Sequence, residues 1–228
     1  SLGVALVVLA GLGSSIGIAG AAWVGAAVVL LVITAVGQRI KDIMVILILG
    51  MMFSSGVGAV VQILQYIAND ESLKMFVIWT MGALGDVTAQ QLAIFVPSVL
   101  VGLLLAVITI KSLNLLLFGE EYAITMGLNI QRSRGLLFLS TTLLAGTITA
   151  FCGPIGFIGL AMPHVTRMLF QNSDHHVLLP GTILSGASIL LLCDIISKIF
   201  TLPINAITAL LGIPIVVWVV LRNKSITA

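Results

Sequence analysis

The chain has 228 residues, of which 60% are hydrophobic and only 8% charged, with a net charge of +2. A soluble domain is about a quarter charged, so this composition excludes a water-covered exterior and calls for lipid in its place. The small net charge gives no basic surface for nucleic acid, and the information lies in where the charges fall.

A bilayer-crossing helix needs about 20 mainly apolar residues. On that measure the sequence predicts spans at Ser1–Gly13, Ile16–Gly37, Ile43–Ile67, Gln91–Ile110, Gly135–Cys152, Ile155–Phe170, Val177–Lys198 and Asn205–Leu221. The first opens SLGVALVVLAGLG without an initiator Met or a basic leader. It reads as a span already under way, not a signal peptide, and predicts that an N-terminal part precedes it.

In the third span Ser54, Gly58, Gln62 and Gln65 recur every three or four residues, with Ser55 beside them. This spacing collects small and polar groups on one helical face. Such a face serves a water-accessible path or close helix packing, and the spacing alone does not separate the two. Between Asn69 and Gln90 the pattern predicts a short amphipathic helix at the outer surface, with Trp79 at the interface. Ser140, Thr141, Thr147 and Thr149 of the fifth span are ambiguous, since a hydroxyl can bond its own helix. Gly153-Pro154 predicts a tight turn, and the sixth span is short and contains Pro163, so it is broken or only partly spanning.

Two cysteines, Cys152 and Cys193, lie in apolar runs and read as small buried hydrophobes. His164 reads as a helix-end hydrogen bonder and His175-His176 as solvated loop residues; no metal site is expected from them. Asp194 and Lys198 stand four apart with the acid first, so they can pair; the alternative is that Lys198 offers its charge to an external acidic partner.

The basic residues orient the chain. If the loop Gln38–Asp42 is cytoplasmic, eight of the ten basic residues (Arg39, Lys41, Lys111, Arg132, Arg134, Arg167, Arg222 and Lys224) fall inside, and only Lys74 and Lys198 outside. The C-terminus is then cytoplasmic. There is no GxxxxGK[ST] phosphate loop, no HExxH, no GxSxG and no carboxylate pair within a span. The sequence therefore predicts neither ATP binding by that route nor an enzyme, and no cofactor.

After Lys111 the chain turns polar. Glu120 and Glu121 are placed for the first turn of a short helix, where acids favour the dipole. Gly127 is placed to end it with a left-handed cap. Asn129 is placed to cap a second short helix carrying Gln131, Arg132 and Arg134. A compact helix–turn–helix on the cytoplasmic side is the expectation.

This segment resembles the coupling loop of the FecCD-type permeases, membrane subunits of ABC importers for iron siderophores and vitamin B12. The resemblance rests on Gly119, Glu120, Ala123 and Gly127, then Arg132 or Arg134, then the run Gly153-Pro-Ile-Gly-Phe-Ile-Gly-Leu-Ala-Met-Pro-His-Val-Thr-Arg167. Asp174-His175 before Leu178-Leu179-Pro180-Gly181, Gly186-Ala187, and Trp79 with Gly82 also fit. The chain departs from the pattern at Thr201-Leu-Pro-Ile-Asn205, where relatives read Glu-Leu-Pro-x-Gly.

The resemblance implies an all-α polytopic membrane protein with the type II importer permease fold of the vitamin B12 permeases. Residues 1–228 would form one permease domain holding seven or eight of the family's roughly ten helices, an expectation by likeness. Within it residues 111–135 would form the coupling loop, carried by Gly119, Glu120, Glu121, Ala123, Gly127, Arg132 and Arg134. Ser54, Ser55, Gly58 and Gln62 would line the path, and Lys198 would meet the binding protein. The implied partners are a cytoplasmic ATPase pair, an extracytoplasmic substrate-binding protein, a second permease copy and the lipid of the bacterial inner membrane. The rival is a secondary transporter driven by an ion gradient, for which Asp194 is the only acid placed to serve.

Overall fold

The computed structural model describes residues 2–9, 20–29, 31–32, 43–85 and 87–224. Arg39 and Lys41, on which part of the orientation rests, lie outside these residues, as does much of the expected span at 16–37. The described elements are helices throughout. They are α1 (Leu2–Leu9), α2 (Gly20–Val29), α3 (Ile43–Ile67), α4 (Asp70–Met81), α5 (Ala89–Ile108) and α6 (Ile110–Leu116). After these come α7 (Glu120–Thr125), α8 (Ile130–Cys152), α9 (Ile158–Phe170), α10 (His175–Phe200) and α11 (Ile204–Lys224). Among the described residues, four stretches are long and apolar enough to cross a membrane: Ile48–Ile67, Ala89–Ile108, Ile130–Cys152 and His175–Phe200. The chain is a multi-pass membrane protein.

The chain divides into two compact units. The first comprises Ser1–Thr80, Asp86–Leu103 and Phe138–Gly153. Val4, Ala5, Val8, Ala22, Phe76 and Ala150 form its buried cluster. In lipid, helices gain little by hiding apolar surface from one another, so close approach and interhelical hydrogen bonds hold them. Gly3 supplies the first: a Cβ there would overlap the Ala21 carbonyl. For the second, Trp23 Nε1–H donates to Thr147 Oγ1 at 3.0 Å, and Ser140 Oγ–H donates to the Gly102 carbonyl at 2.8 Å. Thr141 bonds its own helix through the Phe138 carbonyl. Ser140 and Thr147 thus join helices, and Thr147 also donates to the Leu143 carbonyl of its own helix at 2.6 Å.

The segment expected to be an amphipathic helix forms α4, capped by Asn69, whose Oδ1 accepts from the Ser72 N–H at 3.1 Å. Ser72 and Phe76 on one face are buried. Trp79 is half-buried: its ring packs on Phe76 and its indole N–H donates to the Ala150 carbonyl at 3.3 Å. An indole N–H needs an acceptor when covered, and the C-terminal end of α8 supplies one. Thr88 and Gln91 start α5 as a reciprocal pair, with Thr88 N–H donating to Gln91 Oε1 and Gln91 N–H to Thr88 Oγ1.

The second unit comprises Met81–Gly85, Leu104–Leu137 and Pro154–Ala228. Here α9 packs on α10 and α11, and Cys193, Ile204 and Ile207 form a buried cluster with Leu84, Ile158, Ile189 and Leu190 around it. Thr166 and Ser185 join α9 to α10 at 2.9 Å. With 13 residues, α9 is about 20 Å long, less than the ~30 Å hydrocarbon core. Pro163 lies inside it without ending it. His164, expected at a helix end, sits instead at its middle and is exposed.

The turn before α9 is wider than Gly153-Pro154 alone. Gly153 takes φ 79° and Phe157 takes φ 64°, ψ −41°. The Ile158 N–H bonds the Gly156 carbonyl at 2.8 Å, which makes Phe157 the centre of a γ-turn of the rare positive-φ kind. Such a residue costs about 1–3 kcal/mol and persists only where its surroundings hold it. Here α11 holds it: Asn205 Oδ1 accepts from the Gly156 N–H at 3.5 Å, and Gly212 leaves room for Phe157. A Cβ on Gly212 would overlap Phe157 Cβ. Gly212→Val is therefore expected to destabilise the fold by about 1–3 kcal/mol, while Gly159→Ala, with open space around it, is neutral. Melting in detergent checks this; equal melting of the two variants would mean that α11 does not support the turn.

Candidate functional site

The elbow between α5 and α8 concentrates the polar residues that the sequence singles out, and each position of its Gly-Glu-x-x-Ala-x-x-x-Gly pattern has a physical reason. Gly119 precedes α7 at φ 101°, ψ 156°, a region open almost only to glycine. Glu120 and Glu121 occupy the first turn of α7. Ala123 is fully buried, so a larger side chain would lift the helix away. Gly127 takes φ 83°, its N–H bonds the Ile124 carbonyl at 2.9 Å, and the Leu128 N–H bonds the Ala123 carbonyl at 3.0 Å. This pair of bonds is the Schellman ending of a helix.

Asn129 caps as expected, Oδ1 accepting from the Arg132 N–H at 3.0 Å. The helix it starts is not short, however. It is the beginning of α8, which runs unbroken from Ile130 to Cys152. Gly135 weakens a helix by about 1 kcal/mol but offers nothing to stop it, so Gln131, Arg132 and Arg134 belong to the spanning helix itself. Arg134 reaches back to Glu120 in an ion pair. Both side chains are more than half exposed, so the pair sets orientation more than stability. Ser133 Oγ–H donates to Ser112 Oγ of α6 at 3.2 Å.

The outward side of the elbow is apolar. Phe118 (73% exposed), Tyr122, Ile124 and Met126 all face away from the fold, with the Phe118 and Tyr122 rings 5.5 Å apart. Reasoning from sequence passed over these four because it followed the charges. Their signal was present: four large apolar groups in a segment otherwise written for water.

Behind the elbow, His175 and His176 are not loop residues. They open α10, which Asp174 caps by accepting from the His176 N–H at 2.8 Å. That bond, then one from Asn114 Nδ2, holds the Asp174 carboxyl below the ordinary carboxylate range.

The remaining candidates lie elsewhere. On α3, Ser54, Ser55 and Gln62 are exposed and Gly58 is half-buried. Ser55 Oγ–H is turned onto its own helix, at the Met51 carbonyl 3.0 Å away. Val61 and Leu64 face the buried cluster of the first unit, so the stripe flanks the packed face of α3 and does not fill it. Lys198 pairs with Asp194 at 2.7 Å; its side chain is 64% exposed and that of Asp194 15%. Its ammonium lies over Gly85, 3.8 Å from where a Cβ would stand.

The sequence pattern of the FecCD transport family matches residues 1–222. The chain belongs to the FecCD transport family. Among its relatives, the hemin transport system permease protein HmuU of Yersinia pestis is 36% identical over 183 residues, covering 78% of this chain and 54% of that protein. The vitamin B12 import system permease protein BtuC of Klebsiella pneumoniae is 39% identical over 163 residues, 70% of this chain and 49% of that one. The chain thus spans about half the length of these curated relatives.

A solved structure described as a metal-chelate type ABC transporter in an inward-facing conformation superimposes with a TM-score of 0.83 at 29% identity. It covers 97% of this chain and 72% of that one. FecCD membership places this chain in a transport family, and the superposition gives it the fold of that ABC transporter.

Proposed function

We propose that this chain supplies the membrane-spanning body of an ABC importer permease for a bulky iron chelate, haem or a cobalamin-type substrate. The importer sits in the bacterial inner membrane with the C-terminus of this chain in the cytoplasm. A second permease copy completes the path, an ATPase pair docks inside, and a substrate-binding protein delivers cargo outside. The observation that carries this reading is the construction of the elbow: a short helix bounded by Gly119 and Gly127, seated on Ala123, presenting an apolar knob outward. Exposed aromatic groups in a rim of charge are the anchors of protein interfaces, and this knob fits an apolar cleft on the ATPase.

ATP binding at the partner draws two elbows together, and the two ends of the path open alternately. Gly119, Glu120, Glu121, Ala123, Gly127, Arg132 and Arg134 shape and orient the elbow. Ser54, Ser55, Gly58 and Gln62 line the path; weakly polar groups suit a bulky cargo better than a ring of charges does. Lys198 meets acidic groups of the binding protein, its charge held in place by Asp194. That pairing also removes Asp194 from service as a proton relay, which weighs against an ion-gradient transporter.

The test is crosslinking from a Tyr122→Cys permease in native membrane vesicles. The expected product joins the permease to a nucleotide hydrolase. Uptake that survives ATP depletion but fails with an uncoupler, with no such crosslink, would overturn the proposal.

A further inference from the structure

The helix α6 has only seven residues, Ile110–Leu116, yet it carries two polar clips pointing in opposite directions. Ser112 faces Ser133 of α8. Asn114, two residues on and so about 200° around the helix, faces the start of α10. Its Nδ2 donates to Asp174 Oδ1 at 2.6 Å. Its Oδ1 accepts from the His175 backbone N–H at 2.9 Å and meets His175 Nδ1 at 2.7 Å. An amide oxygen only accepts, so His175 carries its proton on Nδ1. The same Asp174 oxygen that takes the Asn114 bond also accepts from the His176 N–H. One amide therefore ties α6 to the cap, the first backbone N–H and the first side chain of a 26-residue helix.

We infer that Asn114 is the positioning residue through which movement of the elbow reaches α10. This rests on the reading of the elbow as the ATPase docking element. Helices as short as α6 and α7 have no stable geometry of their own; their clips fix where they lie. An apolar contact lets two helices slide, because it has no preferred direction. Three hydrogen bonds to one side chain, one of them charge-assisted by a carboxylate, do not. The Glu120–Arg134 and Ser112–Ser133 clips hold the elbow to α8, and Asn114 alone among these polar bonds carries it to α10.

Two variants separate this role from mere folding. Asn114→Leu keeps the branched heavy-atom skeleton and removes every bond. Asp174→Ser keeps a good helix cap but is too short to reach Asn114. The permease is reconstituted with its ATPase and binding protein, and substrate uptake per ATP hydrolysed is measured. Both variants are expected to lose about tenfold in that ratio, whereas Ser188→Ala, whose hydroxyl bonds its own helix at the Leu184 carbonyl, changes it by less than about twofold.

A second readout follows spin labels at Tyr122→Cys on α7 and Val177→Cys on α10. Their distance distribution is expected to stay narrow in the parent when nucleotide is added and to broaden in Asn114→Leu. A wild-type uptake ratio with a narrow distribution in both variants would overturn the inference. Loss of the Tyr122 crosslink to the ATPase in the parent protein would instead reject the docking reading, and this inference with it.

Discussion

Gly127→Pro is expected to abolish substrate-stimulated ATP hydrolysis by the assembled importer, to about a tenth of wild type or less, while the permease still inserts. The reason is local. Gly127 sits at φ 83°, and proline is locked near −65°. The substitution also deletes the N–H that bonds the Ile124 carbonyl and displaces the Leu128 N–H from the Ala123 carbonyl. A six-residue helix has little besides its two ends to define it, so losing one end unseats the knob of Phe118, Tyr122, Ile124 and Met126. Insertion depends on the apolar spans, which the change does not touch.

Gly127→Asn is the control, because asparagine tolerates the left-handed region; it should keep most of the stimulation. Glu120→Lys should fall between the two. It sets a cation against Arg134 and against the N-terminal dipole of α7, but an exposed pair is worth only about 0–1 kcal/mol. Hydrolysis is measured in proteoliposomes with and without loaded binding protein. Full stimulation in Gly127→Pro would detach the elbow from the motor.

The elbow was legible in the sequence because its constraints are local. Gly119, Ala123 and Gly127 answer demands made by the backbone within one short helix, and Asn129 answers the next one. The start of α8 was misplaced because Gln131, Arg132 and Arg134 look like loop residues, and only the absence of a stop signal at Gly135 says otherwise. The bond from Trp79 to the Ala150 carbonyl spans 71 residues, so no local pattern announces it. The Asn114 clip spans 60 residues and joins residue types common in any loop, so no spacing announces it. Phe157 is the hardest case. Nothing about a phenylalanine announces positive φ; the condition for it is Gly212 on another helix.

The second large effect concerns α3 and decides between path and packing. With Cys152 and Cys193 replaced by alanine, cysteines at Ser54 and Gln62 are expected to react with a small water-soluble thiol reagent at least about tenfold faster than one at Val60. Val60 is the proper comparison. It is two residues from Gln62, so it sits within about 3 Å of the same depth but on another side of the helix, and it too is exposed. Only the thiolate reacts, and hydrocarbon raises the thiol pKa while water leaves it near 8.5; each unit of difference is tenfold in thiolate. Rate therefore reports wetting and not mere exposure.

Among the described residues the Gln62 amide makes no hydrogen bond within the chain, and an unbonded amide facing lipid costs several kcal/mol. Water in a path meets that need, and so does a partner helix from a second copy. The two differ in what nucleotide does. A path opens and closes, so the Ser54 and Gln62 rates should change in opposite senses, or at least unequally, when the ATPase is trapped with ATP. A packed seam keeps both slow throughout. Slow labelling at both positions, equal to Val60 and indifferent to nucleotide, would give the stripe to packing and leave the path to other helices.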